Sequence, residues 1–311
     1  MNRAVVVQDR LMVQRRAALL DSRAGGRVLT DVDLENALAV CARDAVGSVL
    51  ATARLELAVG RGLRAAGGSL WGYEQDGELL ALCFAGANMV PVIPVEDAAT
   101  VSRALDAFAG FARLQGRRCS SIVGPADAVL GMWGRLRQFW PAAREVRDDQ
   151  PSMVIEHAPL VTPDSMVRRS HPDEFDIVLP ACVRMFTEEV GYSPVSGPGG
   201  PYETRVHNLM AQGRSFVRVD HRAGRGRGDV VFKAELGAVA GGVAQVQGVW
   251  VSPDRRGERL SEAGMAAVVQ ATRAEVAPLV SLYVNNYNAR ALATYRAVGF
   301  RQVGTYATVL F

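Results

Sequence analysis

The feature that most constrains the fold is the order of helical and extended segments, which runs the same way in both halves of the chain. In the C-terminal half, two helical segments precede three strands, and a helix, a strand, a helix and closing strands follow. Apolar periodicity and turn residues predict their bounds, which are 172–190, 202–212, 215–219, 230–236, 243–251, a helix from 260, 278–284, 288–298 and 300–311. This order predicts an α/β (α+β) fold with a mixed, mostly antiparallel sheet flanked by helices.

The N-terminal half repeats the order more loosely. Its predicted elements are a helix, a hairpin, a strand, a helix, a strand, a helix and a last strand, at 31–43, 70–73 with 79–84, 89–95, 96–114, 120–123, 126–139 and 152–156. Two diverged copies of one fold account for this better than two unrelated domains do. The Pro-rich, polar stretch at 157–170 separates them, so the predicted domains are 1–160 and 161–311.

Composition excludes several classes of function. The 35 basic and 32 acidic residues leave a net charge of +3, which argues against general nucleic-acid binding. No apolar run is long enough to span a membrane, and the arginine-rich first 27 residues lack the apolar core of a secretory signal. We therefore expect a cytoplasmic protein without membrane or nucleic-acid partners.

The remaining composition favours structural roles. The four cysteines and four histidines lack ligand spacing, so no metal is expected and the thiols are predicted to be buried and reduced. The Arg/Gly segment 222–228 is predicted to be a hairpin turn, because no aromatic residues are interleaved to stack on bases.

The most informative segment is a strand, Val246 to Val251, that enters a turn, Ser252 to Arg259, and continues into a helix. Such a turn presents free backbone N–H groups and the positive end of the helix dipole to an anion. A pyrophosphate group fits this arrangement.

Two stretches resemble the signatures of the GNAT acetyltransferase superfamily. The first, Arg256-Gly257-Glu258-Arg259-Leu260-Ser261, is similar to the loop that follows a strand in that family, except that Arg259 replaces a glycine and Ser261 stands at a small-residue position. The second runs from Asn288 through Tyr295 to Gly299-Phe300. The resemblance covers about residues 173–311, and the whole chain resembles actinobacterial two-domain GNAT proteins with a degenerate first half.

The resemblance implies acetyl-CoA as co-substrate and assigns residues to it. Backbone groups of Val249, Trp250 and Val251 would contact the thioester carbonyl and the pantetheine arm. Tyr295 would face the CoA sulfur as general acid, and Asn288 would lie near the pantetheine arm or cap its helix. The pyrophosphate would be bound by Arg255, Arg256, Gly257, Glu258, Arg259, Leu260 and Ser261.

The general base is open at this stage. Glu235 is a candidate because strand alternation places it on one face with Lys233. Gln245 and Gln247 could position a relaying water. Glu188 and Glu189 are either contacts for a cationic acceptor or helix-surface charges. Because no cysteine lies in either signature, direct transfer is favoured over an acyl-enzyme.

The N-terminal half has carboxylates, Glu96 and Asp97, at the corresponding junction. They suit a helix N-terminus but repel a pyrophosphate, so one cofactor site is expected, with the first half shaping the acceptor cleft or a dimer. The predicted function is N-acetylation of a primary amine on a small molecule or peptide, by a monomer or homodimer. The alternative is a non-catalytic acyl-CoA-binding sensor or scaffold.

Overall fold

The structure is a computed structural model that describes residues 25–195, 197, 199–221 and 228–311. The expectations for the N-terminal arginine-rich segment up to residue 24 and for the Arg/Gly turn at 222–227 lie outside the described residues. The chain divides into two compact units, the first comprising the described residues up to Pro151 together with Gly304–Phe311, and the second comprising Ser152–Val303.

The first unit contains a sheet with helices on it. Its chain order is β1 (Gly26–Val28), α1 (Leu34–Ala42), α2 (Ala45–Glu56), β2 (Ser69–Gln75), β3 (Glu78–Ala85), β4 (Asn88–Val92), α3 (Ala98–Gln115), β5 (Ser121–Pro125), α4 (Ala126–Leu136) and the beginning of β6 (Glu145–Ile155).

The second unit repeats this order. It contains the end of β6, β7 (Arg168–Arg169), α5 (Phe175–Val190), α6 (Pro201–Ala211), β8 (Ser215–Asp220), β9 (Asp229–Ala240), β10 (Val243–Val251), α7 (Leu260–Glu275), β11 (Leu279–Tyr283), α8 (Ala289–Val298) and the beginning of β12 (Arg301–Leu310).

The sheets of the two units have matching topologies. The first runs β1-β2-β3-β4-β5-β12 and the second β7-β8-β9-β10-β11-β6. Among the pairings described within each unit, β4 with β5 and β10 with β11 are parallel, and the others are antiparallel. The predicted fold, tandem mixed and mostly antiparallel sheets flanked by helices, is confirmed.

Each unit takes its last strand from the other half of the chain. Tyr306 to Leu310 of β12 pair with β5 in the first unit, while Ser152 to Ile155 of β6 pair with β11 in the second. The sequence predicts both strands but assigns each to its own half, because alternation of apolar residues identifies a strand without identifying its neighbour.

The exchanged strands carry core residues. Ala307 and Val309 are fully buried in the cluster around Phe108 of α3, and Met153 and Ile155 are buried in the cluster of the second unit. The four cysteines are free and buried, as expected from their apolar neighbours. Within the described residues, no helix combines the length and apolar character needed to cross a membrane.

Ending the chain after Val303 is expected to destabilise the first unit, because β5 loses one of its two partner strands and the core loses Ala307 and Val309. Backbone amides of β5 should then exchange faster with solvent, while those of β11 keep the protection of the full-length chain. Hydrogen exchange measured by mass spectrometry distinguishes the two. Faster exchange confined to β11 would contradict the strand assignment.

Candidate functional site

Strand β10 loses one of its two neighbours part-way along its length. Val243, Ala244 and Gln245 pair with β11, whereas the residues that follow, up to Val251, pair with β9 alone. Parallel strands that separate in this way leave backbone N–H and C=O groups without a ladder partner, and such groups require water or a ligand. The residues predicted to contact a thioester and its pantetheine arm, Val249, Trp250 and Val251, lie in this unpartnered part.

A β-bulge deforms β10 at the same place. The register with β9 passes from Gln247 opposite Glu235 to Trp250 opposite Lys233, so Gly248 and Val249 together face one residue of β9. Gly248 has φ +59, and a Cβ there would lie 3.1 Å from Lys233 Nζ. Both the left-handed backbone and the lack of space require glycine at this position.

The loop after β10 presents a series of free amides. Gly257 has φ +93 and Arg259 has φ +57, and α7 begins at Leu260. Among the described residues, the backbone N–H groups from 257 to 261 donate no hydrogen bond, and the next one, of Glu262, is bonded to the Arg259 carbonyl. Consecutive free amides at a helix N-terminus form an anion-binding site.

Two of the predicted pyrophosphate contacts are occupied by carboxylates. The guanidinium of Arg255 donates to Asp220 and, at 2.8 Å, to Glu258, and these hydrogen bonds, the one to Glu258 first, raise its pKa. Arg256 donates at 2.6 Å to Glu188 and at 3.2 Å to the Val251 carbonyl. Both arginines therefore hold the loop to neighbouring elements.

Arg259 does not obstruct the amides. Its guanidinium is drawn to Glu262 of the first turn of α7, at 2.7 Å, and its side chain is 77% exposed. The left-handed φ of Arg259 gives a physical reason for the glycine that the GNAT pattern has at this position.

Tyr295 of α8 presents a hydroxyl without a protein partner. Its ring is buried and meets Phe300 edge-on at 5.9 Å, and among the described residues its hydroxyl makes no hydrogen bond. Burial, and secondarily the charge of Glu189, raise the pKa of the phenol. Tyr295 is therefore a hydrogen-bond donor that stays protonated at neutral pH.

Asn288 caps α8. Its Oδ1 accepts the backbone N–H of Ala291 at 3.1 Å, which satisfies one of the free donors at the start of the helix. The sequence leaves two roles open for Asn288, and the described contacts account for the role of helix cap.

Glu235 does not have the surroundings of a general base. Its carboxylate is buried and accepts hydrogen bonds from Lys233 Nζ at 2.7 Å, Arg205 Nη1 at 2.9 Å and Cys182 Sγ at 3.4 Å. Burial alone would raise its pKa, but the charges of Lys233 and Arg205 outweigh burial and lower the pKa to about 2. So weak a base is poorly matched to an ammonium, and the expectation of a base at Glu235 is not carried forward.

Sequence reasoning names Lys233 and Glu188 but misses that both hold the site together. Lys233 donates at 3.0 Å to the carbonyl of Gly248 in the bulge. Glu188, at the end of α5, accepts from Trp250 Nε1 at 3.3 Å as well as from Arg256. One signal was available: Lys233 is the only lysine among 35 basic residues.

The corresponding junction of the first unit is already satisfied by the protein. The Asp97 carboxylate accepts the backbone N–H of Thr100 at 2.8 Å and its hydroxyl at 2.7 Å, and these hydrogen bonds lower the pKa of Asp97. A carboxylate that caps α3 fills the position where an anion would bind.

Family models match both parts of the chain. Residues 193–300 match the acetyltransferase (GNAT) family, and residues 68–178 match a domain of unknown function, DUF4081. Residues 193–300 therefore carry the pattern of a GNAT acetyltransferase domain, a fold that supports acyl transfer in general. No curated protein matches the chain.

Solved structures share the fold over nearly the full length. A Drosophila protein superposes with a TM-score of 0.57 at 14% identity, covering 93% of this chain and 99% of that chain. A GCN5-related N-acetyltransferase from Sphaerobacter thermophilus gives 0.53 at 16%, covering 91% and 93%. A tandem GNAT protein from the clavulanic acid biosynthesis pathway gives 0.51 at 13%, covering 92% and 98%. These likenesses establish a tandem GNAT fold.

Replacing Arg259 by glycine is expected to raise the free energy of unfolding by about 1 kcal/mol. A Cβ is disfavoured at φ +57, and the exposed ion pair with Glu262 contributes less than this cost. Urea denaturation measures the change. Arg256→Gly is the control, because Arg256 has φ −70 and glycine there is expected to lower stability. A loss of stability in both variants would contradict strain at Arg259.

Proposed function

We propose that the second unit is an acetyl-CoA-dependent N-acetyltransferase that transfers an acetyl group directly to a primary amine. The observation that carries the proposal is the series of free N–H groups from Gly257 to Ser261, which follows directly on the part of β10 that has no partner on β11. The loop suits a pyrophosphate and the open strand suits an extended amide-bearing arm, and the two lie in the order in which CoA carries them.

The fit of a pyrophosphate rests on backbone groups. The side chains of Arg255 and Arg256 are paired with carboxylates, so the free amides and the dipole of α7 would supply the attraction. Arg259, turned to Glu262, leaves the amides accessible.

Acyl transfer then requires three events at the open end of β10. The amine nitrogen attacks the thioester carbonyl carbon, a C–N bond forms and the C–S bond breaks. The backbone N–H of Val249, in the bulge, is proposed to donate to the carbonyl oxygen as negative charge develops on it. The hydroxyl of Tyr295 donates its proton to the leaving thiolate. The proton that the attacking nitrogen loses passes to water, and water returns a proton to Tyr295.

The acceptor amine is proposed to approach past the end of α5. The negative charge of Glu189 contributes to the raised pKa of the Tyr295 phenol, and the same charge would attract an ammonium group. We propose Glu189 as a contact for the acceptor, a small molecule or peptide that carries a primary amine. The first unit, with its helix start capped by Asp97, is proposed to bind no CoA.

Calorimetry is expected to show one acetyl-CoA per chain. Gly257→Ala should lower the affinity tenfold or more, because a Cβ at φ +93 disturbs the amides. Gly242→Ala is the matched control: Gly242 also has positive φ, and for both glycines an added Cβ meets nothing within 4 Å. The control should therefore suffer similar strain without loss of affinity. Equal losses in both variants, or no binding by the unaltered chain, would refute the loop as the site.

Tyr295→Phe is expected to lower kcat about tenfold to a thousandfold, since it removes the acid and leaves the ring packing intact. The Kd for acetyl-CoA should change little. Free-thiol release with a panel of amines measures kcat. Unchanged turnover would exclude Tyr295 as the acid, and tight binding without turnover on any amine would instead favour a non-catalytic acyl-CoA sensor.

A further inference from the structure

The one lysine of the chain is a fully buried cation. Lys233 lies on β9, its side chain is 0% exposed, and its ammonium has three acceptors. These are the carboxylate of Glu235 at 2.7 Å, the carbonyl of Gly248 at 3.0 Å and the Sδ atom of Met185 at 3.4 Å. An ammonium has three N–H donors, so each of them has a partner inside the protein.

The charge of Lys233 is balanced by a network that reaches the surface. Glu235 also accepts from Arg205 of α6, whose side chain is 41% exposed. Burial works against the charged ammonium, but the Glu235 carboxylate outweighs burial and raises the pKa of Lys233. The ammonium is therefore held charged beside the bulge, which makes its hydrogen bond to the Gly248 carbonyl a strong one.

The hydrogen bond to Gly248 controls a second group. The carbonyl of Gly248 and the N–H of Val249 belong to the same planar trans peptide, in which they point in opposite directions. An ammonium that fixes the carbonyl on the α5 side of β10 therefore fixes the Val249 N–H on the other side.

We propose that Lys233 is a positioning residue for acyl transfer, which sets the β-bulge of β10 and directs the Val249 N–H toward the thioester carbonyl. This inference rests on the proposed function. Lys233 does not touch the substrate, and it acts through the peptide group between Gly248 and Val249. Because the ammonium polarises this peptide, the Val249 N–H is also a better donor than an isolated amide.

The first test is the variant Lys233→Met, which keeps the length of the side chain, removes its charge and leaves Glu235 paired with Arg205. We expect kcat to fall tenfold to a thousandfold, the range for loss of one donor to a developing oxyanion. The Kd for acetyl-CoA, measured by calorimetry, should change less than threefold, because the amides of 257–261 are separate from the bulge.

Val217→Ala is the matched control for general destabilisation. Val217 of β8 is fully buried and lies opposite Lys233 in the register of β8 and β9. Its replacement by alanine removes buried side-chain volume but no group that is hydrogen-bonded to the bulge. Its kcat should stay within threefold of the unaltered chain. A kcat for Lys233→Met that is no lower than that of Val217→Ala would overturn the proposal.

The second test needs neither a variant nor the acceptor amine. Isotope-labelled lysine gives a single side-chain NMR signal, because the sequence contains one lysine. Acetyl-CoA should shift this signal more than CoA does, since only the thioester carbonyl accepts from the Val249 N–H and so strengthens the chain of hydrogen bonds to Lys233.

The outcomes separate the two proposals. Binding of acetyl-CoA with a lysine shift equal to that caused by CoA would overturn the role of Lys233 and leave the cofactor site standing. Failure of both ligands to bind would overturn the proposed function and the role of Lys233 with it.

Discussion

The site in the second unit depends on the point at which β10 stops pairing with β11. Up to Gln245 the strand has two neighbours, and beyond it only β9 remains. Buried backbone groups must find partners, so this separation is stable only where water or a ligand can reach the strand. At Gly248 the bulge also interrupts the pairing with β9, and from Gly257 to Ser261 the backbone N–H groups donate no hydrogen bond. Unsatisfied backbone donors are thereby concentrated in one continuous stretch of chain, which explains why a site made largely of backbone groups forms there.

The first unit shows that the fold alone does not produce such a site. Its β4 and β5 are also parallel and pair only at Asn88 and Met89, so the strands separate as β10 and β11 do. The difference lies in the next few residues. Asp97 supplies a carboxylate to the helix start, whereas the second unit has Gly257 and the left-handed Arg259 and leaves its amides free. An uncapped loop in place of one capping side chain leaves the helix end open to an anion.

The sequence predicted best what local rules determine. The cap at Asn288, the turn at Gly257 and the order of elements all follow from residues within one or two turns of each other. It failed where partners are distant. Arg255 and Arg256 have the charge for a pyrophosphate, but each also pairs with a carboxylate that is distant in sequence. Asp220 is 35 residues from Arg255, and Glu188 is 68 residues from Arg256. Glu235 lies on one face of its strand with Lys233, as predicted. Arg205 and Cys182, on two helices, also donate hydrogen bonds to its carboxylate, which is a buried ion-pair partner. The strands β6 and β12 likewise pair with strands that are distant in sequence, β6 with β11 and β12 with β5.

The surroundings of Lys233 give a physical reason for a single lysine among 35 basic residues. Arginine serves nearly every basic position, but its planar guanidinium is larger than an ammonium and carries five donors in a fixed fork. A Cβ on Gly248 would lie 3.1 Å from both the ammonium of Lys233 and the sulfur of Met185, so the space around the bulge is already filled. The packing that favours glycine at 248 therefore also favours a compact cation at 233. The two residues share one space, since an added Cβ at 248 would press on the ammonium that donates to the Gly248 carbonyl.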